Sequence, residues 1–333
     1  MPKPKRQGGW RNRGADLYCR SAALILGTRE SRGARQLIRA TILLLFLPVP
    51  ICLQAQAPPE TFDGARAFTD LKHLVSYGPR PAGSLELAEA RSWIIAELKQ
   101  TGAQVEEDSF TADTPVGEIP MTNVIARFPG TEPGVVMVSG HYDTKRFVQF
   151  RFVGANDGGS SAALLLELAR ALKGRKHALT YWLVFFDGEE AVHDWTATDS
   201  LYGSRHLAQK LSTDGTLGRI KAMILVDMIG DSHLEIHREA GSTPWLTDTV
   251  FAAAHRLGYA KYFLDAPSSV EDDHVPFVNA GVAATDLIDF NPADGYWHTA
   301  KDTVEHCSPQ SLTIVGRVVL ASLADLEKPS RGK

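Results

Sequence analysis

Apolar positions recur at two spacings along this chain, and the change from one spacing to the other predicts its elements. Helical spacing runs through FDGARAFTDLKHLVSYG (62–78) and LELAEARSWIIAELKQTG (85–102), with the loop GPRPAGS (78–84) between them. QVEEDSFTAD (104–113) alternates with period two, and MTNVIARFPG (121–130) and GVVMVSGHYD (134–143) continue as strands. From there strands and helices take turns. Helices are predicted over 160–174, 201–212, 242–258 and 308–327, and strands over 178–188, 220–230 and 280–290. These later strands are apolar almost throughout, which marks strands covered on both faces. The pattern predicts an α/β fold: a single globular domain with a central mixed, mostly parallel sheet and helices on both faces. That domain spans 64–328, after a linker at 58–63 and before a short tail at 329–333.

Composition supports a sizeable core, with 44% hydrophobic residues. The formal charge of −4 is unevenly spread: residues 1–40 hold ten Lys/Arg against two acids, so the rest is more acidic than the total. An acidic body argues against a nucleic-acid partner, which needs a basic face. The basic start precedes TILLLFLPVPICL (41–53), an apolar run too short and proline-bearing for a comfortable membrane span, and then AQA (55–57). Residues 1–57 therefore read as a basic region with a secretory signal peptide cut after Ala57, or with a retained anchor. Either reading makes the protein exported, periplasmic or secreted, and touching a membrane only through this segment. Cys52 invites a lipoprotein signal, which Pro50-Ile51 fits poorly. After cleavage Cys307 stands alone of the three cysteines, so no internal disulfide is expected. A monomer is expected.

The ends of the predicted strands carry the chemistry. One strand ends in His141-Tyr142-Asp143, and Asn156-Asp157-Gly158-Gly159 opens the next helix. Another strand ends in Asp187-Gly188-Glu189-Glu190, the next reaches Asp227, and the last leads to Trp297-His298. Ligands of parallel α/β sheets sit beyond the carboxyl ends of the strands. Each residue alone has an ordinary use: Asp157 as a helix N-cap, Asp227 in a turn, His141 or His298 as a hydrogen-bonded structural histidine. Together they would repel or take up protons at low dielectric, unless a divalent cation gathers them. Two imidazoles and three carboxylates suit Zn2+ better than magnesium. Glu190 can ligate such an ion while Glu189, beside it, moves protons. Asp143 can orient the His141 ring. Of the other histidines, His193, His206, His233, His237, His255 and His306 read as surface or structural groups.

With those residues in place, the chain resembles the zinc exopeptidase superfamily and, within it, the glutaminyl-peptide cyclotransferases (glutaminyl cyclases). The resemblance covers about 64–327. It is most specific in GHYDTK (140–145), FDGEEAVHDWTATDSLYGSRHLA (186–208), EDDHVPF (271–277) and YWHT (296–299). It implies one catalytic zinc held by Asp157, Glu190 and His298, with Glu189 as general acid/base and Asp227 and Asp272 in its hydrogen-bond network. It implies a substrate pocket walled by Trp195 and Trp297, with Phe290 in the 289–296 loop beside them. Core packing is the ordinary alternative for the two tryptophans. Glu271 stands where cyclases of animal type often carry glutamine, and Asp286 where they have histidine; both would add acid at the pocket edge. The disulfide of the secreted animal cyclases is missing.

The implied reaction is cyclisation of the N-terminal glutamine of peptides or proteins to pyroglutamate, with loss of ammonia. A two-zinc aminopeptidase is the competing reading: Asp157 would bridge the metals, and His141 and Asp227 would complete a second site. A non-catalytic ectodomain would have lost ligands and Glu189, and neither is lost.

Overall fold

A computed structural model describes residues 62–328. The basic segment and leader at 1–57, most of the linker at 58–63 and the tail at 329–333 lie outside the described residues.

Two helices come first, α1 (Gly64–Ser76) and α2 (Leu85–Gln100). The Asp63 side chain accepts from the Ala65 and Arg66 amides, and Ser84 accepts from the Leu87 amide. Each satisfies donors that a helix start leaves unpaired. The strands β1 (Gln104–Thr114) and β2 (Gly117–Phe128) pair antiparallel. Next come β3 (Val135–His141), α3 (Ser161–Leu172), β4 (Thr180–Phe186), α4 (Tyr202–Thr213) and β5 (Ile220–Asp227). The chain continues through β6 (Ile236–Glu239), α5 (Pro244–Arg256), β7 (Phe263–Ser268), α6 (Val275–Asn279), β8 (Ala284–Ile288) and α7 (Pro309–Leu326).

The main sheet has the order β1-β2-β4-β3-β5-β8. Strands β4, β3, β5 and β8 are mutually parallel, while β2 joins β4 antiparallel. The sheet is mixed and mostly parallel in its centre, as the apolar runs predict. Period two decides which core each strand residue enters. Val136, Val138, Leu183, Phe185, Ile224 and Val226 pack with α1, α2, α3, α5 and α7 on one face. Val135, Met137, Val184, Phe186, Met223 and Leu225 pack with α4 and α6 on the other.

Predicted and observed elements agree in type, and most observed ends fall inside the predicted ones; β2 instead begins earlier, at Gly117, and β1 and α4 run on to Thr114 and Thr213. The exceptions are informative. The short parallel pair β6–β7 is unforeseen, because IHRE and FLDAPS lack a sustained apolar alternation. Residues Ala155–Ser160 form a π turn ahead of α3 in which Asp157 has non-helical backbone angles. Asp157 therefore does not cap α3; Ser160 occupies the cap position, without a side-chain bond. Cys307 is buried and is a free cysteine. Among the described residues, no helix is long and apolar enough to cross a membrane.

Candidate active site

Four parallel strands end on one rim, and the chain turns there place the polar groups. His141 is the last residue of β3 and Asp227 the last of β5. Glu189 and Glu190 follow β4, and His298 follows β8 through a loop. The Asp157 turn enters from behind β3. Gly154 (φ +48°) and Gly158 (φ +80°) bracket it. A Cβ on Gly158 would lie 2.5 Å from the Asp143 carbonyl oxygen, and one on Gly154 2.4 Å from that of Asp157. Only glycine allows so close a backbone approach with positive φ.

These turns bring all five strand-end residues together. The His298 Nε2 lies 3.2 Å from Asp157 Oδ2 and 3.2 Å from Glu190 Oε1. The His141 Nε2 lies 3.2 Å from Asp157 Oδ1 and 3.1 Å from Asp227 Oδ1. Asp157 is thus shared by two donor groups, Asp157–Glu190–His298 and His141–Asp157–Asp227, each with ligand atoms within 4.8 Å of one another. Asp143 Oδ1 sits 3.5 Å from His141 Nδ1 and also accepts the Glu189 backbone N–H. Glu189 itself stands apart from the first group, with its Oε2 3.9 Å from His141 Nδ1.

The electrostatics state what such a site needs. Burial raises the Glu189 carboxyl well above its ordinary range, and its neighbours Glu190, Asp272 and Asp273 add to the effect. Burial and then Asp157 raise Glu190. Burial also works against the Asp157 charge, but His141 and His298 outweigh it and hold that carboxyl low. Both imidazoles are disfavoured as cations by burial, yet the acids prevail: Asp157 and Glu190 push His298 up to about 10, and Asp227 and Glu189 raise His141. The acid excess pulls positive charge into the site, and a divalent cation answers the same need. Glu190 Oε2 is buried without a hydrogen bond and Asp157 Oδ2 has only its ion pair with His298, and buried carboxylate oxygens are rarely so short of partners unless something else binds them. One nitrogen and two carboxylate donors suit zinc.

A cavity of about 460 Å³ opens onto this group, and Asp157, Glu189, Glu190, Asp227, Asp272 and His298 reach its wall. Trp195, Trp297, Phe290 and Glu271 line it too. Trp195 and Trp297 are 38% and 37% exposed, too open for core packing. The Trp297 ring stacks on His298 (centroids 4.1 Å apart), and Phe290 meets Trp297 edge-on at 4.9 Å. The Trp195 indole donates to Glu271 Oε2 at 3.0 Å, so Glu271 steadies a pocket wall.

One placement differs from expectation. Asp286 is not at the pocket edge. It lies on β8 with 1% exposure, its Oδ2 3.9 Å from the buried His274 Nδ1. Its parity matches Ala284, so it faces the α4–α6 side of the sheet, beneath the site. His193, read as surface or structural, is exposed but on the cavity rim. Three further residues escape the sequence reading. Asp199 accepts the Val192, His193 and Asp194 amides and the Tyr202 hydroxyl, ordering the Trp195 loop. His274, 3.1 Å from Glu239, and Asp302 are fully buried. A three-residue acceptor pattern such as that of Asp199 leaves no periodic trace; only its Asp within a polar loop hints at a turn.

The model of peptidase family M28 matches residues 123–323. The chain is 36% identical over 282 residues to the glutaminyl-peptide cyclotransferase-like protein of Bos taurus, covering 76% of this chain and 72% of that protein. The chain belongs to peptidase family M28, on its glutaminyl-peptide cyclotransferase branch. Solved structures of that branch share the fold. An Acidobacteriales bacterium glutaminyl cyclase is 44% identical, with a TM-score of 0.79 over 84% of this chain and 98% of that one. The glutaminyl cyclase of Porphyromonas gingivalis is 30% identical, with a TM-score of 0.75 over 80% and 99%. In this M28 chain the segment ahead of β2's second half, including α1, α2 and β1, lies outside the matched family span.

Proposed function

We propose that this chain is a zinc-dependent glutaminyl-peptide cyclotransferase acting on the N-terminal glutamine of peptides or proteins. One observation carries the reading: the donor group Asp157, Glu190 and His298 faces a cavity flanked by two half-exposed tryptophans, with Glu189 beside the group but outside it. The naming of its relatives as glutaminyl cyclases supports the same reading.

Asp157, Glu190 and His298 would hold the ion. Zinc there supplies a Lewis acid for the side-chain amide carbonyl. The walls of Trp195, Trp297 and Phe290 take the compact, neutral glutamine end and exclude water. The α-amine attacks the γ-amide carbon; the new C–N bond forms, the old one breaks, and ammonia leaves. Glu189 takes the proton from the α-amine and returns it to the departing nitrogen, so no net proton is consumed. Its raised affinity for protons suits a group that must hold one in mid-reaction. Asp272 and Asp227 flank this exchange from the cavity wall. Export, which rests on the leader pattern, and a monomeric state belong to the same proposal.

A two-metal aminopeptidase is favoured by one feature, the sharing of Asp157 between two donor groups. Against it, His141 does not reach the cavity wall. Incubating zinc-loaded protein with Gln-peptides and aminoacyl anilides separates the two. Ammonia released without loss of a residue is the expected result. Free amino acid, with two zinc ions per chain, would establish the aminopeptidase instead.

A further inference from the structure

The loop GPRP (78–81) carries no sign of chemistry in the sequence, yet it places Arg80 fully buried behind the Asp157 turn. The Arg80 guanidinium spends its Nη donors on backbone carbonyls, while its Nε–H is buried without a hydrogen bond. Its Nη1 donates to Val153 O at 2.9 Å, Gly78 O at 3.0 Å and Leu74 O at 3.3 Å, and its Nη2 to Gly154 O at 3.2 Å. On the amide side of the same turn stands Asp302, four positions after His298 and 1% exposed. Its Oδ1 accepts the Ala155 N–H at 3.1 Å and the Asn156 N–H at 2.8 Å; its Oδ2 accepts the Asp157 N–H at 3.1 Å. A cation therefore holds the carbonyls of 153–154, and an anion holds the amides of 155–157. The Asn156 side chain is pinned as well, donating to the Tyr296 hydroxyl and accepting the Gly230 N–H. The one buried side-chain atom of this turn left without a hydrogen bond is Asp157 Oδ2, which has only its ion pair with His298.

Burying a guanidinium and a carboxylate is costly unless each is fully hydrogen-bonded. Neither reaches the cavity wall, and an ordinary turn needs no charge on either side. We propose that Arg80 and Asp302 are positioning residues: acting from opposite sides of the 153–157 backbone, they preset the Asp157 carboxylate for the metal before any ion arrives. The proposal rests on the reading of Asp157 as a ligand. Holding a ligand's support in place is worth 10- to 100-fold in metal affinity at other sites.

The test has two parts on the full chain. In the metal-free parent, hydrogen exchange at the amides of 155–157 is expected to be as slow as in β3 and β5. Asp302→Asn keeps the volume but cannot accept all three N–H groups as an anion. It is expected to bind zinc about 10-fold more weakly in competition with a chromogenic chelator. Leu323→Ala, a remote core truncation in α7, should lower thermal stability and leave zinc affinity at the parent value. Parent-like zinc affinity in Asp302→Asn, or an equal loss in Leu323→Ala, overturns the proposal. So does fast exchange at 155–157 in the metal-free parent, which decides alone if Asp302→Asn does not fold. A parent that binds no zinc defeats the ligand reading instead, whatever its exchange pattern.

Discussion

Glu189 and Glu190 are adjacent in the chain and meet different surroundings. Glu190 Oε1 lies 3.2 Å from the His298 ring, while Glu189 turns to the cavity and the far side of His141. Both lie past the end of β4, beyond the Gly188 turn (φ +67°), and their side chains part there, so a doubled acid can serve two uses. The pair was legible in the sequence, and so was the gathering of His141, Asp157, Asp227 and His298. Asp286 was placed at the pocket edge by the family resemblance, whereas strand parity sends it beneath the site. On the proposed mechanism, Glu189→Gln keeps the volume and removes the proton carrier. The expected outcome is parent-like zinc content by metal analysis and a fall in kcat of about 100-fold or more. His298→Ala should instead reduce zinc uptake, measured as metal per chain after dialysis. Unchanged stoichiometry would remove His298 from the ligand set.

Strands and helices of the main sheet were readable because their apolar periods are long and regular. The loop that carries Trp195 was readable only as a loop. Its order comes from Asp199, whose two carboxylate oxygens collect three consecutive backbone amides and a tyrosine hydroxyl. Burial opposes the Asp199 charge, but these bonds outweigh it and lower its carboxyl. The anion is therefore the form that holds the loop. Asp199→Ala should release the segment 191–198 while leaving the metal group in place. The expected signature is a rise in KM with a smaller change in kcat, together with faster hydrogen exchange across that segment. Trp297→Ala should raise KM too, since it removes a pocket wall, but without any change in exchange at 191–198. Similar exchange in both variants would show that Asp199 does not order the loop.

At the scale of the whole molecule, this chain buries many of its acids, and the pH dependence of stability records how. Asp289 is the clearest case away from the proposed ligands. It is buried, its Oδ2 accepts the Glu235 amide at 3.0 Å, and burial followed by the charge of Asp231 pushes its carboxyl up to about 8. In the unfolded chain the same group titrates near ~3.9. The folded pKa is the higher one, so the native state binds more protons over this range. Its contribution is whole below pH ~4 and is lost as the pH rises toward about 8. Asp289→Asn mimics the protonated form at every pH and can still accept the Glu235 N–H. The variant should therefore match the parent in urea stability at pH 4 and exceed it progressively up to about pH 8, with the gap constant above that. The measurement is the difference between the two chains across pH, in metal-free buffer, so that titrations common to both cancel. A gap that stays flat from pH 4 to 8 would mean that Asp289 ionises in the folded chain as it does in the unfolded one, with water or the Glu235 amide meeting its charge.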